Sequence, residues 1–289
     1  MQFDVVIIGS GVAGLTAALY SARAGKSTLI IENSIIGGTT ATLETVENYP
    51  GFAGKTGAEL ISTMVGQVFS LSVSIEMLNI EHIDYENKNI YFTDGQICTY
   101  KALVIATGTS YIPLGINAEE RLKFKGISYC ATCDGRLYKD KKVVVVTNGA
   151  KGADSIDYLE GLASELIVID TTNLYKNNNL QVFSNATVVD IEGDEYVEGI
   201  QFISNGNQYS IKCSAVFVCL GKDSNISLFE NKIKTKNKKI ITDDNMQTNI
   251  DGVFAAGDIR DKELRQIVTA CSDGAIAATQ AIKYLSKLK

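Results

Sequence analysis

The stretch that decides the fold is Val5-Val6-Ile7-Ile8-Gly9-Ser10-Gly11-Val12-Ala13-Gly14. Four consecutive apolar residues run straight into a glycine. A strand that is apolar on both faces is buried on both, which marks a parallel sheet covered by helices. The G-x-G-x-x-G that follows has a role for each glycine. Gly9 permits a tight turn, Gly11 lets the backbone approach a pyrophosphate, and Gly14 lets the next helix pack close to the sheet. That helix is predicted over about Val12–Arg23, with Leu15, Ala18 and Leu19 on one face. Its N-terminus offers free N–H groups and a positive dipole end to a phosphate. A second strand over 27–31 ends at Glu32, where an acid can accept hydrogen bonds from a ribose diol. Strand, glycine turn, helix and terminal acid together read as a nucleotide-binding βαβ unit rather than an ordinary glycine-rich turn.

Working outward, the same design recurs. Residues 143–146 form a second buried strand, followed by a glycine-containing turn, a helix containing Tyr158 and Leu159, and a strand over 166–169. The runs Ala-Leu-Val-Ile-Ala-Thr-Gly at 102–108 and Val-Phe-Ala-Ala-Gly-Asp at 253–258 are strands entering tight turns. A last helix runs from about Gln266 into the 280s. The fold class is therefore α/β, with two doubly wound, Rossmann-like domains, the second inserted into the first. The expected boundaries are 1–111 and 243–289 for the first domain and 112–242 for the second.

Bulk properties fit this reading. The 289 residues exceed one average domain, and 45% apolar with 21% charged residues is the balance of a soluble globular chain. A net charge of −6 leaves no footprint for nucleic acid. No apolar run approaches the roughly 18 residues that span a membrane, and the N-terminus enters a strand without a signal-peptide pattern. A cytoplasmic location is the expectation. Six cysteines are too few and scattered for a disulfide scaffold. Cys98, Cys213, Cys219 and Cys271 read as small buried hydrophobes. The single histidine, His82, lies in a polar stretch and leaves little for a zinc site or a Ser–His–Asp triad, so no metal is expected.

One cysteine pair has a mechanistic spacing. Cys130-Ala131-Thr132-Cys133 is followed by Asp134. Two intervening residues permit a small, reducible disulfide, and the adjacent carboxyl can shuttle a proton to or from a thiolate. The competing reading, half a zinc site, lacks a second Cys-x-x-Cys or a nearby histidine.

With these segments in hand, the chain resembles the low-molecular-weight thioredoxin reductase family from end to end. The matching segments are the Gly9 to Gly14 turn, Gly37-Gly38, Glu47-Asn48-Tyr49-Pro50-Gly51, Ala106-Thr107-Gly108, Cys130-Ala131-Thr132-Cys133-Asp134-Gly135, Gly257-Asp258, and Arg265-Gln266 with Thr269-Ala270. The resemblance implies FAD in the first domain. Gly9, Gly11 and Gly14 would hold its pyrophosphate and Glu32 the adenosine ribose. Gly37, Gly38 and Asn48 would line the flavin side, with Thr107 and Gly108 close by. Asp258 would bind the ribityl chain or phosphate and Gln266 would cap the isoalloxazine; Gly257 and Arg265 belong to the same cofactor-binding set, with a surface arginine as the plain reading of Arg265. It also implies that Cys133 exchanges electrons with the flavin, that Cys130 attacks a thioredoxin disulfide, that Asp134 is the general acid, and that the protein is a homodimer.

The second domain departs from the family. There NADPH is held by a glycine-rich turn and by a His-Arg-Arg run, with a further arginine, that grips its 2′-phosphate. Here the turn reads Thr147-Asn148-Gly149-Ala150-Lys151-Gly152, and the strand ends in Asp170-Thr171-Thr172, with Lys176 beyond. A β-branched residue suits a tight turn poorly, and a carboxylate repels a phosphate. The segment after Lys176 also reads as short, as though a helix were missing. The chain thus resembles the ferredoxin-dependent type within the family, whose electrons arrive singly from an iron–sulfur protein. Lys139, Lys141, Lys142 and the group Lys232, Lys234, Lys236, Lys238 and Lys239 are candidates to steer an acidic ferredoxin, against the plain reading of a solvated lysine-rich hairpin. Three alternatives are an NAD(P)H-dependent thioredoxin reductase, in which Asp170 would bind the ribose diol of NADH, a FAD-dependent dithiol oxidase, and a non-enzymatic flavin redox sensor.

Overall fold

A computed structural model describes residues 1–224, 226–229 and 232–288. The chain divides into two compact units. The first comprises 1–110 and 224–289 and the second 111–223.

In the first unit, Gln2–Ile8 lies centrally in a seven-stranded sheet. It pairs in parallel with Thr28–Glu32 on one side and Ile97–Ile105 on the other. The helix Val12–Arg23 is the crossover between the first two strands, as a right-handed βαβ unit requires. Val253–Ala255 adds in parallel beside Ile97–Ile105, so the chain returns to this sheet after the second unit. A hairpin of Ile80–Asp84 and Asn89–Phe92 extends it in antiparallel fashion. Val5 and Ile7 face one apolar cluster, with the helices on that side; Val6 and Ile8 face another. That two-sided burial is why the strand is a continuous apolar run. The last helix, Ile267–Lys287, packs on Val12–Arg23 so closely that a Cβ on Gly274 would stand 2.2 Å from the Ala13 carbonyl oxygen.

Residues 224–242 belong to the first unit, not to the inserted domain to which the sequence reading assigns them. The reason is burial: Ile226, Phe229, Ile233 and Ile240 complete the cluster around Val6 and Ile8. Thr235–Lys236 and Lys239–Ile240 do form a hairpin, and Asn237 and Lys238 at its tip have positive φ, as a two-residue turn demands. Lys232, Lys234, Lys236 and Lys238 are exposed. Lys239 is not: it is buried, and its Nζ donates to the Asp258 carbonyl. It drops out as a steering residue.

The second unit is built on five parallel strands in the order Gln181–Phe183, Glu165–Asp170, Lys142–Thr147, Ala215–Cys219, Ile127–Ser128. Ala153–Glu160 is the crossover helix after the central strand. No helix occurs between Asp170 and Gln181, so that crossover is a bare loop. An antiparallel meander of Ala186–Glu192, Gly199–Ser204 and Asn207–Lys212 carries the chain back to Ala215–Cys219. Its half-exposed strands alternate in polarity, a pattern the sequence reading passed over. Among the described residues no helix is long and apolar enough to cross a membrane.

Candidate active site

The glycine turn of the first unit forms a cradle. Gly9 has φ +102° and donates its N–H to the Ile31 carbonyl; a Cβ there would meet the Ala106 carbonyl oxygen at 2.5 Å. Gly11 is the N-cap of Val12–Arg23, with no side chain capping the helix. A Cβ on Gly11 would meet nothing within 4 Å. The free N–H groups of the helix therefore face open ground of the kind an anion takes. Gly37 and Gly38 follow with φ of +95° and +56°. The Gly37 N–H donates to Ser10, which ties the two glycine turns together.

Glu32 has a second task beside the one the sequence suggests. Its Oε2 accepts from the Ser10 N–H and hydroxyl at 2.9 and 2.7 Å. Its Oε1 accepts from the Asn33 and Ser34 N–H groups, both at 2.9 Å. Four protein donors meet a carboxylate with about four lone-pair directions. Glu32 is thus a structural tie for the turn, and a ribose hydroxyl must share or replace one of these partners.

The residues expected on the flavin side all lie in the same unit. Asn48 donates to the Gln266 Oε1 at 3.1 Å, joining two segments 218 positions apart. Gly108 has φ +61° with open space beside it. The Thr107 hydroxyl and the Arg265 Nε are buried without a hydrogen-bond partner in the protein. Buried donors are rarely left so, which makes them groups in need of a ligand atom. Asp258 lies in the turn Gly257–Ile259. This turn is held by a residue the sequence reading missed: Asp273 accepts from the Gly257 N–H at 3.1 Å and pairs with Arg260 and Lys262 at 3.0 and 2.8 Å. Its only signal in the sequence is a lone acid in an alanine-rich helical stretch. Open cradle, uncapped helix and two orphaned buried donors fit a bound dinucleotide.

In the second unit Cys130 and Cys133 are joined by a disulfide, both partly exposed. Cys130 caps the single turn Ala131–Asp134, and its carbonyl accepts from the N–H groups of Cys133 and Asp134. Burial pushes the Asp134 carboxyl up from the usual carboxylate range, and a hydrogen bond from Ser128 partly offsets this. The Ser128 hydroxyl donates to Asp134 Oδ2 at 2.6 Å and accepts from the Cys130 N–H at 3.1 Å. Ser128 is a second residue the sequence reading missed. Among the described residues no group of three His, Cys, Asp or Glu is placed to hold a metal.

The second glycine turn is closed by its own chain. The Thr147 hydroxyl donates to the Gly149 carbonyl at 2.9 Å and accepts from the Gly152 N–H at 3.0 Å. It thereby takes a backbone donor that a phosphate would need. Asp170 Oδ1 accepts from the Gly149 N–H, the Thr172 N–H and the Thr172 hydroxyl. Its Oδ2 accepts from the N–H groups of Leu174 and Tyr175. Burial alone would raise the Asp170 pKa, but these donors outweigh it and the carboxyl is lowered. The side chain of Leu174 lies over the turn: a Cβ on Gly149 would stand 3.1 Å from the Leu174 Cβ.

Comparison with known proteins adds identity to this geometry. A family model described as pyridine nucleotide-disulphide oxidoreductase matches residues 3–274. The chain is 38% identical over 309 residues to a thioredoxin reductase of Peptoclostridium litorale, covering 99% of this chain and 98% of that one. It is similar to the crystal structure of thioredoxin reductase from Streptococcus pyogenes, with 32% identity, a TM-score of 0.92 and 99% of each chain covered. It is also similar to a ferredoxin-flavin thioredoxin reductase from Clostridium acetobutylicum, with 26% identity, a TM-score of 0.56 and again 99% of each chain covered.

Proposed function

The chain belongs to the pyridine nucleotide-disulphide oxidoreductase family, in its low-molecular-weight thioredoxin reductase branch, and from that premise we propose that it passes electrons from reduced ferredoxin, by way of the Cys130–Cys133 disulfide, to thioredoxin. It is a flavin-dependent disulfide oxidoreductase and binds FAD. FAD supplies the conversion between one-electron and two-electron transfer.

In this reading the uncapped helix at Gly11 holds the pyrophosphate, with Gly9 and Gly14 shaping the turn. Glu32 takes the adenosine ribose, and Gly37, Gly38 and Asn48 line the flavin. Thr107, Gly108, Gly257, Asp258, Arg265 and Gln266 complete the site. Cys133 receives two electrons as the disulfide opens. Cys130, released as a thiolate, attacks the thioredoxin disulfide and forms a mixed disulfide, which Cys133 then resolves. Two ferredoxins give up one electron each, and two protons balance the thioredoxin dithiol. Asp134, with its raised pKa, holds a proton for the thiolates near neutral pH better than an ordinary carboxyl does. The protein acts as a cytoplasmic homodimer.

The observation that carries the choice of donor is Asp170. Its carboxylate accepts from five donors, the Gly149 N–H of the glycine turn and four of its own loop, and a ribose diol would have to displace them. Thr147 and Leu174 occupy the phosphate side of the same turn. The experiment is anaerobic mixing of the flavoprotein with NADH, with NADPH and with photoreduced ferredoxin. Flavin bleaching and thioredoxin thiols with ferredoxin alone is the expected result; rapid bleaching by either nicotinamide would overturn it. That second outcome belongs to the NAD(P)H-dependent reading, which the relatives named simply thioredoxin reductase favour.

A further inference from the structure

Ser128 is 3% exposed and closes the short strand Ile127–Ser128 at the edge of the second unit's parallel sheet. Its backbone is fixed by that pairing, opposite Phe217. Its hydroxyl stands between the two groups that matter in the redox turn. It accepts from the Cys130 N–H at 3.1 Å and donates to Asp134 Oδ2 at 2.6 Å. A third contact, to the Cys130 carbonyl oxygen, is longer at 3.4 Å. A hydroxyl has one proton to give, and the shorter contact takes it while Asp134 is ionised.

We infer that Ser128 is a positioning residue that holds the Asp134 carboxyl in both of its protonation states beside the disulfide. With Asp134 ionised, Ser128 donates to it. When Asp134 takes up a proton, its O–H donates to Ser128 Oγ, and the Ser128 proton turns to the Cys130 carbonyl. Neither state leaves a buried polar group unpaired, so the carboxyl can gain and lose a proton without moving. A residue unable to reverse its hydrogen bond would favour one state. The proposal rests on the acid role of Asp134 given above.

Burial raises the Asp134 pKa and the Ser128 hydrogen bond lowers it. The titratable groups on or beside the elements packed against the redox turn are Tyr129, Arg136, Tyr138, Asp154, Asp157, Tyr158 and Glu160. In the reduced protein the Cys130 and Cys133 thiols also titrate, so the test must separate them from Asp134.

The test is the pH dependence of flavin bleaching by dithiothreitol in the holoenzyme, by stopped flow, for the native protein, Ser128→Ala, Ser128→Thr, Asp134→Asn and the double variant Ser128→Ala/Asp134→Asn. Ser128→Ala removes the donor to the carboxylate, so the limb assigned to Asp134 moves to higher pH by about one unit, a tenfold change in the ionisation equilibrium. Ser128→Thr keeps the hydroxyl and restores the native limb. In the Asp134→Asn background Ser128→Ala moves nothing further. A Ser128→Ala profile lowered equally at all pH values, or with its limb unmoved while Asp134→Asn abolishes it, overturns the role of Ser128. A native limb that persists in Asp134→Asn overturns the acid assignment instead. Thermal melts and flavin content identify a variant that has failed to fold, and Ser128→Thr against Asp134→Asn then decides the question.

Discussion

Asp170 accepts a hydrogen bond from the Gly149 N–H at 2.8 Å across 21 positions of chain. In a nucleotide-binding βαβ unit these two places serve the ligand: the acid takes the ribose and the turn N–H takes a phosphate. Here each satisfies the other. The second unit keeps the architecture of a nucleotide site with its donors and acceptors spent internally.

Asp170→Asn should therefore destabilise the protein without creating a nicotinamide site. The amide keeps one acceptor but sets an NH2 group against the N–H groups now bonded to Oδ1 or Oδ2. Unpaired buried donors of this kind cost about 3 kcal/mol in sum. Urea unfolding at neutral pH measures the loss. The pH dependence has a fixed sign. The folded-state pKa is lowered, so this stabilisation is present above the unfolded carboxyl value and fades as pH falls through the folded one. The difference between native protein and variant should shrink in acid.

Gly9 and Gly11 should separate folding from cofactor binding. Gly9→Ala places a methyl 2.5 Å from a backbone oxygen at φ +102° and should impair folding itself. Gly11→Ala adds a Cβ that meets nothing within 4 Å in the protein. It should leave the melting of the apoprotein nearly unchanged while weakening FAD at least about tenfold, or 1.4 kcal/mol. Flavin content after gel filtration, with circular dichroism of the apoprotein, reads both.

The two cysteines should behave differently. Cys133→Ser leaves Cys130 free to attack thioredoxin with nothing to resolve the product, so a mixed disulfide should accumulate on non-reducing gels. Cys130→Ser should give no such adduct. Both should lower thioredoxin thiol formation by about 1,000-fold or more, as removal of a nucleophile does.

Asp273→Asn should be among the most damaging single changes in the first unit. Arg260 and Lys262 are both nearly buried against this carboxylate. Removing its charge strands two cations, at about 3–5 kcal/mol, and releases the turn that carries Asp258. Thermal melting should fall and flavin should dissociate more readily; retention of both at native levels would show that the turn is held by other means.

Charge reversal on the hairpin tests the donor face. Lys232→Glu with Lys234→Glu should slow ferredoxin-driven flavin reduction about tenfold at low ionic strength and flatten its salt dependence. Rates with dithiothreitol should not change. Lys239 is unsuited to this experiment because it is buried and bonded to the backbone at Asp258.

The βαβ frame, the glycine cradle and the redox pair are all legible in the primary structure. Each of these is written locally. An apolar run of Val5 to Ile8 has one stable environment, Gly9 has one backbone conformation to supply, and a Cys-x-x-Cys spacing brings two sulfurs within bonding reach. Thr147 and Asp170 marked the second turn as unusual, again from local chemistry. What those two residues do was decided only by the tertiary structure. A carboxylate satisfies whichever donors burial brings to it, and for Asp170 these include the Gly149 N–H from 21 positions away beside donors of its own loop. Hence Asp170 closes the turn of Gly149 instead of awaiting a ribose. Glu32 proves to be a tie for Ser10, Ser128 is joined to Asp134, and Asp273 supports Gly257. The same holds for the boundary at 223 and 224, set by which core has room for Ile226 and Phe229. Hydrophobic period and turn chemistry fix where elements form, whereas the choice of hydrogen-bond partner among buried groups depends on what the completed fold removes from water.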